Sequence, residues 1–63
     1  MLSFEIPNMS CGHCVRTITE AVQAADPAAQ VHADLERHRV DVETHVERAL
    51  VAQRLTQAGY PPT

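Results

Sequence analysis

Sixty-three residues are expected to form a single domain over 1–63, and a chain this short hides only about 60% of the surface its unfolded form exposes, which argues against a deep substrate cavity. The net charge is −3, with five arginines scattered among eight acids, a pattern that excludes a basic footprint for nucleic acid or an anionic membrane. Phe4 and Tyr60 are the only large aromatic rings, so the core must be aliphatic, and no apolar run approaches the roughly 20 residues of a membrane span.

Leu2, Phe4 and Ile6 alternate with Ser3 and Glu5, the period of a strand with one buried face. Pro7 ends that run, Pro7-Asn8 reads as a turn, and Ser10 is placed to act as N-cap for a helix. Val15, Ile18, Val22 and Ala25 then recur at helical spacing, with Arg16, Glu20 and Gln23 on other sides. Asp26-Pro27 stops this helix, because the residue before a proline is driven out of helical backbone angles. Val31, Ala33 and Leu35 mark a second alternating strand, Glu36-Arg37-His38 a reversal that lacks glycine, and Val40 and Val42 a third strand. Thr44-His45-Val46-Glu47 has the form of a capping box and predicts the start of a second helix. Its apolar face is Val46, Leu50, Val51, Leu55 and Ala58, and Gly59 is placed to end it in a left-handed conformation. Every strand keeps polar residues at alternate positions, as an antiparallel sheet with one wet face does. The expected architecture is therefore α+β: a two-layer sandwich with both helices on one side of the sheet.

The stretch that carries chemistry is Met9-Ser10-Cys11-Gly12-His13-Cys14, which holds both thiols of the chain. Two cysteines separated by two residues on a turn that opens a helix can aim both sulfurs at one point. The partial positive charge of the helix start favours the anionic sulfur, and the thiolate is the form that binds metal or attacks disulfides. Soft thiolates select Cu(I), zinc or iron–sulfur centres. Structural zinc wants four ligands, whereas this motif offers two and leaves room for a visiting ligand. The serine, glycine and histidine around the sulfurs predict that both are exposed. His13 is expected to face solvent, and His32, His38 and His45, on polar faces or turns, to have no specific role.

With the strand before it and Ala58-Gly59-Tyr60 closing the second helix, this motif resembles the Met-x-Cys-x-x-Cys site of the heavy-metal-associated domain, of the bacterial copper chaperone type. The similarity runs over almost the whole chain. It implies a ferredoxin-like β-α-β-β-α-β fold, Cu(I) held by Cys11 and Cys14, and transfer by ligand exchange to a copper-transporting P-type ATPase in the cytoplasm. A homodimer bridged by metal is a further arrangement that such a site allows. Met9 is expected to pack beneath the loop as a thioether filler and not to ligate. Ser10, His13 and Tyr60 are expected to shape the surroundings, with the tyrosine ring near the thiolates and also closing the core.

Two positions depart from the family pattern. Asn8 stands where a glycine is usual, and asparagine tolerates unusual backbone angles. Only three residues follow Tyr60, two of them prolines without an N–H to give a ladder. The fourth strand is therefore expected to be truncated or absent, leaving the first strand with an open edge.

Three other functions compete with this one. Cys11-Gly12-His13-Cys14 also matches the active-site tetrapeptide of protein disulfide isomerases, but a thioredoxin-like fold needs on the order of 100 residues, and no tryptophan precedes the first cysteine. A carrier of zinc, silver or mercury is an alternative within the binding proteins; mercury carriers are typically exported, and Met1 to Glu5 lack the basic and apolar segments of an export signal. The last is a regulatory module with an incidental thiol pair.

Overall fold

Alternation builds the sheet as expected. The structure, a computed structural model, describes residues Met1–Thr63, with β1 at Leu2–Glu5, α1 at Gly12–Ala25, β2 at Gln30–Asp34, β3 at Arg39–Glu43 and α2 at Arg48–Gln57. The strands form an antiparallel sheet of order β1-β3-β2, in which Phe4 pairs with Val40 and Ala33 pairs with Val40 from the other side. Phe4, Val40 and Val42 point inward and join Ile18 and Val22 of α1 and Val51 and Leu55 of α2 in one core, with Ile6, Met9, Cys14 and Ala29. The outer sheet face is polar: Ser3 donates to Asp41 at 2.6 Å, and Arg39 reaches both. No helix is long and apolar enough to cross a membrane.

This is a ferredoxin-like α+β sandwich with its last strand cut away. In its place stands one backbone bond, from the Thr63 N–H to the Glu5 carbonyl at 2.8 Å, with the Thr63 hydroxyl donating to the same oxygen at 3.4 Å. The open edge of β1 is partly covered all the same. Arg48 donates to the Ser3 carbonyl at 2.7 Å, with its guanidinium 4.4 Å from the centre of the Phe4 ring.

Three local expectations are corrected. Ser10 does not cap α1; Cys11 is the N-cap residue, in extended conformation and without a side-chain cap bond. The capping box is not formed, and α2 begins at Arg48 with Glu47 as its N-cap residue. The Thr44 hydroxyl instead donates to the Asp26 carboxylate at 2.7 Å and accepts the Val46 N–H at 3.1 Å. The bond to the carboxylate fixes the direction of the hydroxyl, and its accepting lone pair meets the Val46 N–H two residues on instead of the Glu47 N–H, so the chain turns before the helix starts. The same bond holds the Asp26 carboxyl below its ordinary pKa. Leu35 lies past the end of β2 and is exposed, because the Asp34 carboxylate accepts the Glu36 and Arg37 N–H groups and bends the chain there. Asn8 keeps a negative φ; the turn before β3 needs the left-handed conformation instead, and His38 supplies it with φ 53°.

Other expectations hold. Asp26 ends α1. Gly59, at φ 92°, closes α2 with paired bonds from the Gly59 N–H to Thr56 and from the Tyr60 N–H to Leu55, the Schellman arrangement that glycine permits. That closure aims Tyr60 back toward the start of α1.

Candidate metal centre

The inner face of α1 is set by residues four apart, which meet on one side of a helix. Ile18 and Val22 define that face, and Cys14 is its first member, with only 7% of its surface exposed. Cys11 sits at the cap position and is exposed. Its carbonyl accepts the N–H groups of Cys14 and Val15, which tightens the first turn. The two sulfurs stand 3.1 Å apart. Both are free thiols aimed at one point, but one of them is covered, where the sequence predicted two exposed. The four-residue spacing of Cys14, Ile18 and Val22 was the clue available for that burial.

Four donors act on the Cys14 sulfur and lower its pKa from 9.0 to about 6. The Tyr60 hydroxyl has the largest effect, followed by the Ser10 N–H, the Cys11 thiol and, after an opposing contribution from burial, the Cys11 N–H. Cys14 is thus mostly thiolate at neutral pH. Tyr60 moves the other way, its pKa raised by donating to Cys14, by burial and by the charges of both cysteines, so its hydroxyl stays protonated as a donor.

Tyr60→Phe removes the largest of these contributions. The Cys14 pKa is expected to rise from about 6 toward 9.0, read from thiolate absorbance or from alkylation rate against pH. A thiol whose pKa is depressed by folding adds stability that is complete above its unfolded pKa and is lost as pH falls through the folded one. The metal-free protein should therefore melt higher at pH 9.0 than at about pH 6, and the difference should shrink in the phenylalanine variant.

The remaining site residues fall as follows. Met9 is fully buried beneath the loop. Ser10 and His13 are exposed, and the contribution of Ser10 comes from its backbone N–H. His32 stands 3.6 Å from Glu43 on the outer sheet face, and His45 is exposed in the segment before α2. His38 overturns the expectation that it has no specific role: its ring Nδ1 lies 2.6 Å from the Met9 carbonyl, at the root of the cysteine loop. The lack of glycine in that turn was the only sequence clue, since some residue there had to accept a positive φ. No group of three His, Cys, Asp or Glu side chains is assembled anywhere in the chain. The cysteine pair is thus a two-sulfur donor set with nothing to complete a closed tetrahedral zinc site.

Residues 3–61 match the heavy-metal-associated domain family. The copper chaperone CopZ of Bacillus subtilis is 31% identical over 61 residues, covering 92% of this chain and 88% of that one. Among solved structures, the trimeric form of the copper chaperone Atx1 from Synechocystis PCC6803 superposes with a TM-score of 0.97 at 25% identity, over the full length of both chains. A gold binding protein is 35% identical with a TM-score of 0.93, over 98% of this chain and 95% of the other. With the sheet order, the loop that carries the thiols and the match over residues 3–61 in agreement, the chain belongs to the heavy-metal-associated domain family.

Proposed function

We propose that this chain is a cytoplasmic copper chaperone. It carries Cu(I) on the thiolates of Cys11 and Cys14 and passes it by ligand exchange to a copper-transporting P-type ATPase. The observation that carries the reading is a sulfur pair 3.1 Å apart, one member exposed and the other held ionised near neutrality, with no third side chain to close the coordination. Copper chaperones among its relatives support the choice of cargo. The cargo ion needs only two soft ligands in transit, and the open position is where a partner's thiolate enters. Cys11 is the accessible sulfur, so exchange begins on its side, while Cys14, fixed by α1 and Tyr60, keeps hold of the ion until the partner has engaged. The protein performs no catalytic step; it binds, shields and releases.

Anaerobic Cu(I) titration followed by X-ray absorption tests this. The expected result is one equivalent bound by two sulfurs, and retention of Cu(I) against Zn(II) at buffered cytosolic levels of both. Preferential zinc binding under those conditions, or a metal environment without two sulfurs, would overturn it. The likeness to a gold binding protein favours one second reading, another soft monovalent ion as cargo, and Ag(I) run through the same competition decides between them.

A further inference from the structure

His38 is the only non-glycine residue with a positive φ, a conformation that a side chain with a β-carbon adopts at a cost and that surrounding contacts must hold in place. Two hydrogen bonds hold it here. Its carbonyl accepts the Ile6 N–H at 2.7 Å, and its ring Nδ1, facing a carbonyl and therefore the donor, gives a bond to the Met9 oxygen at 2.6 Å. The Met9 N–H closes the intervening turn onto the Ile6 carbonyl at 3.1 Å. These three bonds form a closed circuit, with His38 gripping both ends of the segment that leads into the cysteines.

The consequence runs through one peptide unit. The Met9 carbonyl and the Ser10 N–H belong to the same planar group, with oxygen and hydrogen on opposite sides. Fixing the oxygen therefore fixes the direction of the hydrogen, on the residue directly before Cys11. A donor on the carbonyl also polarises the amide and strengthens its N–H. We propose that His38 is a positioning residue for the thiol pair: by donating to the Met9 carbonyl and accepting from the Ile6 N–H it holds the Met9–Ser10 peptide in place where the chain enters Cys11. Its effect on metal affinity rests on the copper reading above; its hold on the peptide does not. Glycine would serve the turn with no cost in φ, but it has no ring donor for the Met9 carbonyl.

Three variants separate the roles. Asparagine tolerates positive φ and places its Nδ2 as many bonds from the backbone as the histidine Nδ1, so His38→Asn keeps the donor. His38→Asp has the same shape but only acceptors, and His38→Gly relieves the backbone and removes the side chain. His38→Asn should keep Cu(I) affinity within about two-fold, and His38→Asp and His38→Gly should weaken it about three- to ten-fold, the worth of one hydrogen bond. His38→Gly should do so without a lower melting temperature. In the metal-free protein, the Ser10 amide proton should move upfield by NMR in the aspartate and glycine variants and stay in place in the asparagine variant. Equal affinities and an unmoved Ser10 resonance in all three would overturn the proposal, as would equal losses in the asparagine and aspartate variants. If His38→Gly also melts lower, the shape-matched asparagine and aspartate pair still decides. A parent protein that binds no Cu(I) refutes the copper reading alone, and the Ser10 resonance still settles the role of His38.

Discussion

Cys14→Ser should lower Cu(I) affinity by ~10²–10³-fold while leaving the fold intact; structural zinc sites gain ~10–16 kcal/mol from four ligands, hence ~2.5–4 kcal/mol for each. The hydroxyl is close to isosteric and stays protonated, so it cannot replace a soft anionic sulfur. The position is nearly buried, but the donors of Tyr60, Ser10 and Cys11 that face it can satisfy a serine oxygen, which keeps the desolvation cost small. Cys11→Ser is the informative companion. Cys11 is exposed, and its loss should also abolish tight binding while leaving most of the pH dependence of stability in place. In Cys14→Ser that dependence, between about pH 6 and pH 9.0, should vanish. Competition with a chelator reads the affinities, and thermal melts at the two pH values read the linkage. Tight two-coordinate copper retained in Cys14→Ser would place the metal elsewhere and refute the site.

Phe4→Ala should cost about 3–5 kcal/mol, the usual range for removing a buried aromatic ring. Phe4 is 1% exposed at the centre of β1, opposite Val40, and it carries the Arg48 guanidinium over its face at 4.4 Å. At about 0.05–0.15 kcal/mol per residue, 63 residues hold only ~3–9 kcal/mol of total stability. The variant should therefore melt at least about 15 °C lower, and a substantial fraction should be unfolded at room temperature. Arg48→Ala gives the contribution of the cation: its contact with the ring is worth about 0.5–1 kcal/mol and its exposed bond to the Ser3 carbonyl about 0.5–1.5 kcal/mol, so its melt should fall by well under the drop in Phe4→Ala. Circular dichroism melts of both variants test this. A Phe4→Ala protein as stable as the parent would mean that the core does not depend on its single buried phenylalanine.

The candidate site was legible at Cys11, Cys14 and Met9, because spacing and residue chemistry act locally there. The helix that follows and the strand that precedes the motif could be read from period alone. The capping errors share another cause. Ser10 and Thr44 both looked like N-caps by their neighbours, yet Thr44 was drawn to Asp26, eighteen positions away, and Cys11 took the cap position itself. A local rule holds only until a stronger partner arrives from another element. The role of His38 is hidden for the same reason: nothing within its own turn shows that its ring meets Met9, 29 positions earlier.

The sequence by itself determined the order of elements, the inner faces of the strands, the end of each helix and the identity of the two thiols. Period, proline and glycine chemistry, and ligand softness are properties of residues and their near neighbours, so they need no fold to act. Only the tertiary structure decided that one sulfur is covered and the other exposed, that Tyr60 and Ser10 bring the Cys14 pKa to about 6, and that Arg48 and Thr63 stand in at an edge where a strand is missing. Those outcomes depend on groups far apart in the chain converging within hydrogen-bond distance, and convergence is set by the packing of two helices on a sheet, which no local pattern encodes.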